Sequence, residues 1–335
     1  MKEERLLVRL SKEHAAASLR IGYGSLPDDM KNVYDRLRSA ILSRAKELTV
    51  EDPDGRVLEY MPKLFTAVRQ DDPYLFYLSK ALRALNDDVE ITFKPKYLFG
   101  TLGEQRILKK IQCAADEMLE DLPGDIFKKQ TEIYRRVTES ITYPEDSYDG
   151  KMHENYQSLA GALVDREATC AGTSNALSLL FNRAGIRCGC VRGTNHEGTG
   201  HTWNLVELGK KHYHLDAAMD TQSEMIQFEA FNVTDEICRS LGYHWECEFK
   251  CNDPTMEFYT YTKSCIRAAD VKEFVAERIS EGEKEIAFRI SDLGNWDRGM
   301  HFDVLESSLE KAAPAKVFFK VNETRGYAHM TINET

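Results

Sequence analysis

Three side chains able to cooperate in acyl transfer follow one another along this chain: the thiol of Cys170, the imidazole of His201 and the carboxylate of Asp216. A thiolate attacks a carbonyl carbon. An imidazole carries protons between thiol, leaving amine and acceptor, and a carboxylate holds that imidazole in the useful tautomer. Taken singly, each has an ordinary reading: cysteine is a common core filler, and a His or Asp at a strand end is usually a hydrogen-bonded bystander. Their local contexts, arriving in the right order, point instead to chemistry.

Those contexts are a helix and a hairpin. From Asn175 to Ala184 the apolar residues at 176, 177, 179, 180, 181 and 184 fit a buried helix, and Gly185 fits the residue that ends it. Cys170 then lies at or near the helix N-terminus, where unpaired N–H groups and the helix dipole favour a thiolate. Its own backbone N–H is a candidate oxyanion donor, and Gly172 is expected to leave room for a substrate backbone. After a short strand over 186–191 and a polar loop over 193–200, two strand-like runs begin at His201 and His212, joined near Gly209-Lys210. A two-residue hairpin loop sets Trp203 opposite Asp216 and puts His201 on the same face as its diagonal neighbour. Such neighbours are about 7–8 Å apart at the backbone, and a slip of one residue would part them.

At this point the residues resemble a family. The stretch from Tyr156 to Asp220 is similar to the bacterial transglutaminase-like superfamily. Gly161 to Gly172 resembles its nucleophile block, Gly200-His201-Thr202-Trp203-Asn204-Leu205-Val206 its His block, and Tyr213-His214-Leu215-Asp216 its Asp block. Phe231 to Asp235 and His244-Trp245 resemble the segment that often follows. The resemblance implies an α+β fold: a papain-like core with a helical half and an antiparallel sheet. It also implies Cys170 as nucleophile, His201 as general base and acid, and Asp216 as orienter. Tyr156 is the best-placed match for an aromatic near the oxyanion, with Trp203 as further support. The chain departs from the family at Ala168, Thr173, His212, Ala218 and Met219, positions expected to line or support the cleft.

Composition narrows the classes. A net charge of −11 and a pI near 5.4 argue against nucleic acid as a partner. No apolar run approaches the roughly 20 residues that span a bilayer, so no membrane partner is expected. The start from Met1 to Leu10 is too charged for a signal peptide. Eight scattered cysteines fit a reducing, cytoplasmic compartment. Two clusters, Cys188-x-Cys190 with His196, and His244 with Cys247 and Cys251, lack the paired spacing of a structural zinc site. The chemistry requires no metal and no organic cofactor.

The chain divides into an N-terminal mixed α/β region over 1–105, a catalytic core over 106–270 and a C-terminal α/β extension over 271–335. The N-terminal region is expected to open with a strand at Leu6–Leu10. A helix over Met30–Leu48, a turn at 52–55, a helix over Val57–Val68 and a strand over Val89–Lys94 then follow. The core begins with helices over Glu104–Leu119 and Asp125–Ile141. A helix over Asp270–Arg278 links the core to residues 286–335 of the extension, which read as strand, helix, strand, strand, the helix at Phe302–Lys311. The leading reading is a cysteine-nucleophile hydrolase or acyl transferase acting on peptide or protein amides through a thioester. Transfer to a lysine amine would make it a protein-crosslinking enzyme. A non-catalytic binding module on the same fold and a thiol redox protein using Cys188 and Cys190 are the competing classes.

Overall fold

The computed structural model describes residues 4–86, 89–144, 154–222, 228–292, 316–322 and 326–333. The expected helix at Phe302–Lys311 lies outside them. The architecture is α+β.

The N-terminal region is mostly helical. Helix α1 (Leu6–Ala17) replaces the expected strand, and it buries Leu7, Ser11 and His14. That spacing is i, i+4, i+7, one helical face, but two of its members are polar, which hides the periodicity in the sequence. The short α2 (Ile21–Gly24) leads to α3 (Asp28–Leu42), which buries Met30, Val33, Tyr34, Leu37, Ile41 and Leu42. Helix α3 stops six residues earlier than expected. Arg44 takes a left-handed φ of 57° and donates to Glu104 and to the carbonyl of Phe99. The residues released form β1 (Leu48–Glu51). Helix α4 (Arg56–Asp71) carries Pro62 inside it, in its second turn. It is followed by β2 (Leu78–Asn86) and β3 (Glu90–Tyr97) in a three-stranded sheet of order β1-β3-β2.

The next helices are α5 (Thr101–Met118) and α6 (Ile126–Ser140), the latter capped by the Asp125 side chain on Lys128 N–H. Helix α7 (Cys170–Arg183) then enters the protein beneath a five-stranded antiparallel sheet of order β7-β6-β5-β4-β8. Its strands are β4 (Arg187–Thr194), β5 (Gly200–Leu208), β6 (Lys211–Leu215), β7 (Phe231–Val233) and β8 (His244–Trp245). The six-residue helix α8 (Asp235–Ser240) lies between β7 and β8, capped by the Thr234 hydroxyl. A third sheet, of order β11-β12-β10-β9, uses β9 (Cys265–Ile266), β10 (Glu285–Ile290), β11 (Lys316–Asn322) and β12 (Tyr327–Asn333). Helices α9 (Phe258–Tyr261) and α10 (Val271–Ser280) accompany it.

One hydrophobic cluster joins Leu7, Leu37, Leu64, Phe93, Ile111, Tyr134, Leu179 and Tyr213. The N-terminal helices therefore pack into the same interior as α7. Smaller clusters lie around Trp203 and Tyr243, and under the third sheet around Val275 and Phe288.

Candidate active site

Cys170 is the first residue of α7, with Thr169 as an extended N-cap that makes no side-chain cap bond. N–H groups of a first helical turn have no acceptor within the helix, so they face the thiol region with the positive end of the dipole. The far end closes as the sequence implies: Gly185 sits at φ 83°, Gly185 N–H donates to Asn182 and Ile186 N–H to Phe181. This pair of bonds is the Schellman pattern.

Gly172 has a different role from the one expected. A Cβ there would lie 2.4 Å from the carbonyl oxygen of Tyr156 and 2.8 Å from Ala168 Cβ. The close approach is by the chain's own backbone, not by a substrate. Tyr156 O also accepts from Thr169 N–H at 2.9 Å, so the main chain of the 3₁₀ turn Glu154–Gln157 braces the start of α7. Ala168 and Thr173, two of the departures from the family pattern, are fully buried.

The hairpin has the register read from the sequence. Leu208 pairs with Lys211 and Asn204 with Leu215, and one further step sets Trp203 against Asp216. Gly209, first in the two-residue loop, has a φ of 67°, which a type II′ turn requires there. Two bonds tie this hairpin to α7: Ser174 Oγ donates to Thr202 O at 3.0 Å, and Asn204 Nδ2 donates to Ser174 O at 2.9 Å.

The consequence is a relay. His201 Nε2 lies 2.6 Å from Asp216 Oδ2, and the imidazole lies close enough to the Cys170 thiol for the two to interact electrostatically. Burial alone would depress the His201 pKa. The charge and hydrogen bond of Asp216, then the interaction with Cys170, reverse this and raise it to about 10. Asp216 is fully buried and has three donors: His201 and the Tyr243 hydroxyl (2.6 Å) on Oδ2, and Ala218 N–H (2.9 Å) on Oδ1. Burial and the Asp216 charge push the Tyr243 hydroxyl far up, so it stays a donor. Tyr243 escaped the sequence reading, although it directly precedes His244-Trp245; its only signal was that position.

Residues 114–217 match the family model of the transglutaminase-like superfamily, a span that holds Cys170, His201 and Asp216. The chain carries a transglutaminase-like core. No curated protein matches it. Among solved structures, a TGase shares 15% identity over 60% of this chain and 61% of its own, with a TM-score of 0.32. A candidate cysteine protease from Cytophaga hutchinsonii shares 9% identity over 45% of this chain and 64% of its own, with a TM-score of 0.28. A candidate protease from Parabacteroides distasonis shares 11% identity over 42% and 37%, with a TM-score of 0.26. The chain thus spans less than two thirds of the length of each.

Around the relay, the transglutaminase-like core builds an aromatic wall. Trp203 stacks near His201 with centroids 5.8 Å apart, and Tyr243 meets it edge-on at 5.2 Å. The Trp203 indole N–H donates to His214 Nδ1 at 3.0 Å. It is therefore committed, and Trp203 supports the imidazole by packing. Since indole can only donate, His214 Nδ1 must be bare, and its proton sits on Nε2, which donates to Asp235 Oδ1 at 3.0 Å. Burial lowers the His214 pKa, consistent with this neutral tautomer.

Cys251, expected near His244 and Cys247, instead joins His214 and Asp235 in a buried group whose ligand atoms lie within 4.8 Å of one another. A metal there would need the lone pair of His214 Nε2, which carries the proton that Asp235 accepts. The donor set therefore fits a hydrogen-bond chain from Trp203 to Asp235 and not a metal site. Cys188 and Cys190 are buried strand thiols facing Asn204 Nδ2. No helix among the described residues is long and apolar enough to cross a membrane.

Proposed function

We propose that the protein is a cysteine-nucleophile amide hydrolase acting on peptide or protein amides through a thioester. The observation that carries this reading is the single imidazole held by Asp216 through Nε2 while close to the thiol of Cys170. With Nε2 engaged, Nδ1 is the nitrogen left for the sulfur.

In the proposed reaction Cys170 Sγ, as thiolate, attacks the amide carbonyl carbon, and the oxyanion forms beside the Cys170 backbone N–H at the helix start. The C–N bond breaks as His201, held as imidazolium by Asp216, gives its proton to the leaving amine. Water then attacks the thioester, His201 takes a proton from it, and the freed carboxylic acid leaves Cys170 to pair again with His201. Asp216, Tyr243 and Trp203 position the imidazole and touch no reacting atom. Transfer to a lysine amine would use the same first half. Water is taken as the acceptor in this reading, which makes the reaction peptidase-like hydrolysis.

The test is amide cleavage of a casein-derived peptide library, read by mass spectrometry, by wild type and Cys170→Ala. Cleavage that vanishes in the variant is expected. Cleavage that survives would overturn the mechanism, and lysine-linked products in place of cleaved ones would move the acceptor from water to amine.

A further inference from the structure

The chain is acidic overall, yet the wall of the cleft beside the nucleophile is basic. A narrow pocket there is lined by Arg69 from α4, Arg192 from β4, and by Ala171 and Thr202, the chain neighbours of Cys170 and His201. It adjoins a groove of about 530 Å³, with which it shares Thr66, Gln70 and Arg192 and which also carries Lys63 and Trp245. Arg69 is half-buried and Arg192 exposed.

Neither guanidinium has a hydrogen bond or ion pair among the described residues. Other half-buried arginines are paired with carboxylates: Arg5 and Arg44 share Glu104, and Arg38 holds Asp72. Burial, and then the nearby Arg192 charge, disfavour the Arg69 charge, and after burial both arginines act the same way on Lys80 of β2. Of the carboxylates nearby among the described residues, Glu154 accepts from Ser79 Oγ and Lys80 N–H at 2.9 Å each, and Glu246 lines the adjoining groove with Arg192. Two forked donors held together without an anion favour any carboxylate that enters, since planar, bidentate pairing with carboxylate is what guanidinium geometry suits.

We propose that Arg69 and Arg192 form a carboxylate-binding subsite that selects acidic peptides and sets the carboxylate next to the amide attacked by Cys170. This rests on the reading of Cys170 as nucleophile. The carboxylate comes from an acidic side chain or from a free peptide C-terminus.

Two alkylating probes separate the subsite from the nucleophile. Iodoacetamide is neutral, while iodoacetate carries the carboxylate. Their rates at Cys170 are measured by peptide mass spectrometry in wild type, Arg69→Gln/Arg192→Gln and Arg69→Lys/Arg192→Lys, with exposed Cys113 as reference. The iodoacetate-to-iodoacetamide ratio at Cys170 is expected to fall about tenfold in the glutamine pair, as for loss of charge-assisted hydrogen bonds, and less in the lysine pair. The His201 imidazolium attracts iodoacetate equally in all three, so it does not change the comparison. A ratio unmoved within about twofold, with iodoacetamide labelling still fast, would overturn the subsite alone. Slow iodoacetamide labelling at Cys170 of wild type would overturn the nucleophile reading and the subsite with it.

Protection of wild-type Cys170 from iodoacetamide needs no variant to fold. Millimolar acetyl-Gly-Glu-Gly-amide protecting best assigns the side chain; acetyl-Gly-Gly-Gly with a free carboxylate protecting best assigns the C-terminus. Equal protection by acetyl-Gly-Gln-Gly-amide, or protection by none of the three, would overturn the proposal.

Discussion

At the residue scale, the site depends on how one buried carboxylate is shared. Asp216 Oδ2 receives both His201 and Tyr243 at 2.6 Å. The Asp216 charge is what carries the His201 pKa up to about 10 against burial. Replacing Asp216 with Asn removes that charge, and His201 should then titrate at or below its unperturbed value of about 6.5. The alkaline limb of the rate profile, set by loss of the imidazolium proton, should move from near pH 10 to below pH 7. Tyr243→Phe leaves the charge in place and removes one donor. It should lower kcat/KM about tenfold without shifting the limb downward. A limb that stays near pH 10 in Asp216→Asn would show that another group holds the imidazole. The grouping of Cys170, His201 and Asp216 was legible in the sequence because each has a local context. Tyr243 was not, since it reaches Asp216 across 27 residues and no periodicity marks it.

At the element scale, the hairpin and α7 were readable and α1, β2 and the end of α3 were not. The hairpin register follows from a two-residue turn and alternation along both strands, which are local rules. Strand β2 contains Leu78, Leu82 and Leu85 at helical spacing, yet it pairs with β3. Tertiary pairing overrides the pattern there. The end of α3 is likewise set from a distance, by Glu104 and Phe99 on Arg44. Gly172 gives a sharp element-level prediction. Gly172→Ala places a Cβ against the backbone of Tyr156 and must push the first turn of α7 outward. It should cost about 1–3 kcal/mol in urea unfolding and slow labelling of Cys170. Wild-type stability and labelling in Gly172→Ala would contradict the bracing of α7 by the Tyr156 carbonyl.

At the scale of the whole molecule, the N-terminal helices share the interior that holds α7, and they bury titratable groups that oppose each other. Burial lowers the His14 pKa to about 4, below the unfolded value of about 6.5. The unfolded chain takes up that proton first, so this stability is complete above pH 6.5 and is lost as pH falls toward 4. Burial raises the Asp71 pKa to about 6, with hydrogen bonds from Gly22, Tyr23 and Tyr34 limiting the rise. Here the folded chain binds the proton first, so stability increases as pH falls from about 6 toward 3.8. At about 1.36 kcal/mol per pKa unit, each contributes roughly 3 kcal/mol, with opposite sign. His14→Leu should therefore gain stability relative to wild type between pH 7 and pH 4.5 in urea titrations, and Asp71→Asn should lose it. No change in either difference with pH would contradict the burial of both groups.

The central claim is that Cys170 and His201 form an activated pair, and the pH dependence of iodoacetamide labelling at Cys170, resolved by peptide mass spectrometry in wild type and His201→Ala, tests it most directly. The account predicts labelling at Cys170 that stays faster than at the other seven cysteines as the pH is lowered and that weakens when His201 is removed. Labelling no faster than at the other seven cysteines, and indifferent to His201, would contradict it.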